Sequence, residues 1–177
     1  MNEKASPSIV KLVAVLAVIC IIVSAVLGGV NMVTFQRIED IQTEKTNAAF
    51  NAVLPTDGGY TEVEYSGNAA IEGVYEADAG HVVQLTIGGA QSNITLAVGV
   101  DNGGVVSGVS IIKHGETPGL GAKATEDSFR DQYIGISGAA ALTKAGGTIN
   151  ALTGATITSQ AVTDAVNIAL DAVASLG

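Results

Sequence analysis

Residues 93–113, NITLAVGVDNGGVVSGVSIIK, decide the fold. Ile94, Leu96, Val98 and Val100 alternate with Asn93, Thr95, Ala97 and Gly99, so one face is wholly apolar and the other small or polar. That is the two-residue period of a half-buried strand. Asp101–Gly104, DNGG, follows at once, and Asp, Asn and Gly are the residues that tolerate the left-handed backbone of a tight hairpin turn. VVSGVSIIK (105–113) then supplies the partner strand. The stretch predicts an antiparallel hairpin and argues against a βαβ unit.

Outward from it, TEVEYS (61–66), GVYEAD (73–78) and HVVQLTIG (81–88) read as further strands after a DGGY turn at 57–60. Downstream, ATEDSFRDQYIG (124–135) predicts a short helix with acids in its first turn, where the helix dipole favours them. AGGTIN (145–150) reads as a turn and a short strand. From Thr158 onward Val162, Ala165/Val166, Ala169/Leu170, Val173 and Leu176 recur at three- and four-residue steps, predicting an amphipathic helix closed by Gly177. No internal repeat is visible. The fold class expected is α+β, one antiparallel sheet flanked by helices.

The first third of the chain is different. Leu12–Val30, LVAVLAVICIIVSAVLGGV, carries no charge, and the uncharged run continues to Gln36. One helix of that length crosses a hydrocarbon core of roughly 30 Å, and no convincing small-x-small cleavage site accompanies it. The expected organisation is a tail at 1–11, a transmembrane helix at 12–35, a connecting helix at 36–56 ended by Pro55, and a domain at 57–177. Ile38, Ile41, Ala48/Ala49, Val53 and Leu54 give the connecting helix its apolar stripe. Lys4, Lys11 and the amino terminus flank the short end, which places the tail in the cytoplasm and the domain outside a plasma membrane.

Charge narrows the partners. The chain has 8 basic and 17 acidic side chains, and only Lys4, Lys11 and Glu3 precede residue 36, so the remainder carries a formal charge of −10. Phosphate backbones would be repelled, which argues against nucleic acid. The single cysteine, Cys20, lies within the span. The domain therefore has no disulfide, no c-type haem attachment and no cysteine-ligated iron–sulfur cluster.

Two places hold residues suited to chemistry. The first is KHGETPGLGAK (113–123), a loop at a sheet end. His114, Glu116 and Thr117 are polar, and Gly115, Pro118, Gly119 and Gly121 shape a backbone whose N–H groups can approach a flat ligand or an anion. It is no dinucleotide fingerprint, since Ala124 stands where a third glycine belongs, and no P-loop spacing is present. His114 and His81 share no metal-ligand spacing, so no metal site is expected. Glu116 alone reads as a solvated or loop-capping carboxylate.

The second place is NALTGATITSQAV (150–162), with Thr153, Thr156, Thr158 and Ser159 around Gly154 and Ala155. A turn feeding a long helix offers free N–H groups and the positive end of a dipole to an anion. Thr158 or Ser159 is the expected N-cap. No base stands beside any of the four hydroxyls, so the residues alone give a local anion site and leave all four open.

Together the span, HGETPGLGAK at 114–123 and TGATITS at 153–159, in that order, resemble the G subunit of the Rnf electron-transport complex. They are similar too to the C subunit of the sodium-translocating NADH:quinone reductase, of the same FMN-binding family. The resemblance covers nearly the whole chain. It implies FMN esterified through its phosphate to the second threonine of the Thr-Gly-Ala-Thr motif, here Thr156, by a dedicated flavin transferase. It implies that His114, Glu116, Thr117, Pro118, Gly119, Leu120 and Gly121, with Thr153, Gly154, Ala155 and Thr158, line the cofactor. It also implies integral-membrane and iron–sulfur subunits as partners, and a subunit of a redox-driven ion translocase with no complete substrate site of its own. The family motif commonly has Asp three residues before its first Ser/Thr, where this chain has Asn150. An anchored FMN-sensing module and a pilin-like structural protein are the readings from other classes.

Overall fold

In the computed structural model, which describes residues 7–176, the chain divides into two units with the boundary between Glu44 and Lys45. The first unit consists of the helix α1 (Pro7–Val53) as far as Glu44. Ile9–Met32, 24 residues, is long and apolar enough to cross a membrane. Leu12, Leu16, Ile19, Ile22 and Leu27 are all exposed, as suits a helix apolar on every side that finds its partner in lipid. Helix α1 is continuous across the expected boundary at residue 36. The first six residues of the expected tail, the side chain of Ile38 and the terminal Gly177 lie outside the described residues.

The second unit holds a five-stranded antiparallel sheet: β1 (Thr61–Val63), β2 (Ile71–Ala77), β3 (Gly80–Gly88), β4 (Asn93–Asp101) and β5 (Val106–Lys113), in sequential order. The decisive hairpin forms as its alternation dictates. Ile94, Leu96, Val98 and Val100 are completely buried on one face, beside Val83 and Leu85 of β3. Its turn is closed by Asp101, whose Oδ1 accepts from the N–H groups of Gly103 (2.8 Å) and Val105 (2.9 Å), with Gly104 at φ +74°. The first strand is shorter than 61–66, because only Thr61–Val63 pair with β2.

The long apolar face of the sheet is covered by α3 (Thr156–Leu176). Val162, Ala165, Val166 and Ala169 are fully buried there; Val173 packs at the margin, and the expected Leu176 stays exposed. The opposite face takes the last turns of α1, where Ala49, Phe50 and Val53 pack on Val82 and Ala97. Gly99 and Gly108, paired across β4 and β5, make this approach possible. A Cβ on Gly99 would sit 2.5 Å from the Val53 carbonyl oxygen, and one on Gly108 would sit 2.9 Å from the Val53 Cα. Ser107 Oγ donates to that same carbonyl at 2.6 Å, satisfying an orphan helix end.

Two expected elements come out differently. Residues 124–135 do not form one helix. A 3-10 turn (Gly121–Thr125), the single α-turn α2 (Asp127–Arg130) and a second 3-10 turn (Asp131–Tyr133) replace it. Glu126 is extended at φ −74°, ψ 140° and interrupts the helix, while Gly135 at φ +84° ends the run. This winding drops both Phe129 and Tyr133 into the core, ring centroids 5.6 Å apart and edge to face. The strand expected in 145–150 reduces to a single bridge between Leu142 and Ile149.

Candidate functional site

The meander brings the β3–β4 turn (Gly89–Ser92) and the end of β5 to the same edge of the sheet, and the start of α3 lies against both. Residues Thr117–Leu120 form a tight turn: Leu120 N–H donates to the Thr117 carbonyl at 3.1 Å, with Pro118 and then Gly119 (φ +77°) at its corners. Those are the residues a type II turn requires. Thr153–Gly154 repeat the device. Ala155 N–H donates to the Leu152 carbonyl at 3.0 Å, with Gly154 at φ +77°. The two turns touch, since a Cβ on Gly154 would lie 3.0 Å from Leu120 Cδ2.

Helix α3 begins at Thr156, two residues before the expected start. The expected cap is not made by Thr158 or Ser159. Ser159 Oγ accepts from Leu152 N–H (2.9 Å) and donates to the Ala155 carbonyl (2.9 Å). Thr158 Oγ1 donates to Glu116 Oε2 at 2.5 Å. Both residues are completely buried. The reason is tertiary: each hydroxyl has a better partner outside the first turn. As a result no side chain caps the N–H groups of Thr156, Ile157 and Thr158 among the described residues, and Ser159 N–H is the first used within the helix. Of the four hydroxyls in this stretch, Thr153 and Thr156 are the two left exposed.

Glu116 is 5% exposed. Its Oε1 accepts from the N–H groups of Gln91 (3.0 Å) and Ser92 (3.3 Å), and Oε2 takes the Thr158 hydroxyl. Burial alone would raise its pKa. The hydrogen bonds from Thr158, Gln91, Ser92 and Ala90 outweigh that effect, and the carboxyl is held below the ordinary carboxylate range. His114 is half-buried, with Nδ1 accepting from Glu116 N–H at 3.3 Å. Thr117, Pro118, Gly119 and Leu120 present an exposed surface, and Gly121 is buried. Leu120 and Ile157 are 44% and 66% exposed, two apolar side chains in the turns that flank Thr156.

The structure thus gathers every candidate residue into one end of the second unit, in two layers. Thr117–Leu120, Thr153, Gly154 and Thr156 face outward. Glu116, Gly121, Ala155 and Thr158 lie beneath. Three contributors were not singled out from the sequence. Ser92 Oγ accepts from Gly115 N–H at 2.7 Å, fixing the loop's entry. Gly89 makes room for Glu116, as a Cβ there would fall 2.6 Å from Oε1. Gln132 reads the backbone of Asn150, with Oε1 accepting its N–H at 2.8 Å. The meander topology was the available signal for the first two, because it sets the 89–92 turn beside the end of β5. No local signal pointed to Gln132.

Comparisons with known proteins agree with this site. The family model described as the FMN-binding domain matches residues 89–171, from the turn under Glu116 to the last turns of α3. The chain is 34% identical over 182 residues to the G subunit of the ion-translocating oxidoreductase complex of Methanosarcina acetivorans, covering 96% of this chain and 97% of that one. It is 32% identical over 185 residues to the G subunit of the Na(+)-translocating ferredoxin:NAD(+) oxidoreductase complex of Acetobacterium woodii, covering 90% and 89%. Among solved structures, the C subunit of the Na(+)-translocating NADH-quinone reductase from Parabacteroides distasonis superposes with a TM-score of 0.53 at 18% identity, over 78% of this chain and 92% of that one. That last likeness is one of fold.

Proposed function

This chain belongs to the family of G subunits of ion-translocating, Rnf-type oxidoreductase complexes and carries its FMN-binding domain, and from that premise we propose that Thr156 is the residue to which FMN is esterified. The observation that carries the proposal is the sorting of hydroxyls at the start of α3: Thr158 and Ser159 are buried and engaged, while Thr156 is exposed on the first helical residue. Its own N–H and those of Ile157 and Thr158 are uncapped. They offer a phosphodiester's remaining negative charge the positive end of a 21-residue helix. Gly154, at positive φ and without a Cβ, lets the chain approach such a group closely.

The residues fit FMN in a second respect. Leu120 and Ile157 give exposed apolar surface for a flat ring beside the acceptor oxygen. FMN supplies reversible acceptance and release of electrons. The chain's own part is to hold, orient and tune it. Thr156 provides the acceptor hydroxyl, which loses its proton as the Oγ–P bond forms. No base adjoins Thr156, so activation of the flavin phosphate falls to a flavin transferase. Asn150, whose side chain is exposed and whose backbone is fixed by Gln132, is available for recognition by that enzyme. The domain's net negative charge disfavours an added electron, which sets a low flavin potential. Its place is a relay between integral-membrane and iron–sulfur subunits, with the N-terminus cytoplasmic and the domain outside the plasma membrane.

The test is simple. The full chain is co-expressed with a flavin transferase, run on a denaturing gel and viewed under ultraviolet light. A fluorescent band is expected for the wild type and for Thr153→Val, and none for Thr156→Val. A dark wild-type band, or a bright Thr156→Val band, contradicts the assignment.

A further inference from the structure

We propose that Glu116 is a positioning residue: its carboxylate latches the 114–121 loop and the 89–92 turn to the first turn of α3 through Thr158, and it orders the flavin site without being a flavin ligand. The inference rests on the reading of Thr156 given above and goes beyond it.

The geometry is that of a filled, closed joint. Both carboxylate oxygens are committed, Oε1 to the N–H groups of Gln91 and Ser92 and Oε2 to the Thr158 hydroxyl. Two glycines are shaped around it. A Cβ on Gly89 would come 2.6 Å from Oε1, and one on Gly121 would come 2.5 Å from Oε2 and 2.8 Å from Thr158 Oγ1. With Glu116 buried to 5% exposure, no acceptor capacity is turned toward the outward layer where Thr156, Leu120 and Thr117 lie. Three segments far apart in sequence meet only here: the β3–β4 turn, the loop after β5 and the start of α3. Charge-assisted hydrogen bonds of this kind are the stronger ones, and leaving one buried oxygen unpaired is costly. The latch also fixes which hydroxyl remains outside. By engaging Thr158 inward, it sets the helix phase that turns Thr156 outward.

The test uses the full chain, prepared with and without the flavin transferase. Thr158→Val removes the hydroxyl and keeps the branched shape. In the flavin-free chain, hydrogen exchange at the amides of Gly115, Leu120 and Ala122 is expected to quicken about tenfold. In the loaded chain the emission anisotropy of the flavin is expected to fall. Thr158→Ser should restore both. Should Thr158→Val fail to fold, Gly121→Ala serves instead, since its methyl would wedge between Glu116 and Thr158, and the same two changes are expected. Unchanged exchange overturns the proposal. So does faster exchange with unchanged anisotropy, which would make the contact structural alone. Exchange is read on the flavin-free chain, so an absent flavin adduct would count against attachment at Thr156 and leave the latch test intact.

Discussion

Four hydroxyls stand within one short stretch, and their environments separate them. Ser159 spends its hydroxyl on the chain entering α3, Thr158 spends its own on Glu116, and Thr153 and Thr156 face water. Glu116 carries a pH consequence of its own. Its pKa is lowered in the folded state despite burial, so it contributes stability that is fully present above its ordinary value of 4.5. That stability is lost as pH falls through the lower folded value. Thermal unfolding across a series from neutral to about pH 3 should show a steeper acid loss in the wild type than in Glu116→Gln. Parallel curves would mean that the carboxylate is not engaged as described. Little of this was legible in the sequence. The capping expectation for Thr158 failed because its partner lies 42 residues away, beyond any local pattern. The same distance hid the burial of Glu116, which reads locally as an ordinary loop carboxylate.

Elements were legible where one residue pattern had one physical solution. The alternation of 93–100 and the DNGG turn force a hairpin, and the three- and four-residue steps after Val162 force a helix with one buried side. The segment 124–135 had no such strength. Its two aromatic residues needed burial more than its backbone needed a regular helix, and Glu126 yields to that. The docking of the last turns of α1 was half visible. Ala49, Val53 and Leu54 were in the apolar stripe, but Phe50, 3% exposed, was not. The glycines that receive them read only as breaks in a strand pattern. Gly99→Ala is therefore a sharp probe, because its methyl would press on the Val53 carbonyl. Overpacking of this kind should cost about 1–3 kcal/mol, seen as a lower Tm for the domain. An unchanged Tm would mean that the helix end is free to retreat from the sheet.

At the scale of the whole molecule, the apolar first unit and the acidic second unit set where the chain works. The uniformly apolar exterior of Ile9–Met32 requires lipid, and the basic residues at the short end favour the cytoplasm for the amino terminus. Cys20 is the chain's one thiol, so sidedness can be read with a single added cysteine. In a Cys20→Ser background, Glu62→Cys, on the exposed strand β1, should react with a membrane-impermeant maleimide in intact cells. Labelling only after lysis would place the domain on the inner side. The span and the domain class were open to reading from composition alone, since hydropathy and charge are additive along a chain. The site was not, since it is built from three segments that only the folded sheet brings together.

The central claim concerns one oxygen atom, and peptide mass spectrometry reads it directly. No Lys or Arg follows Lys144, so trypsin releases residues 145–177 as one peptide carrying all four candidate hydroxyls. From chain matured with a flavin transferase, that peptide should be heavier by one FMN less one water. Fragmentation should place the whole increment on Thr156. An increment on Thr153, Thr158 or Ser159, or a peptide of unaltered mass, would contradict the account.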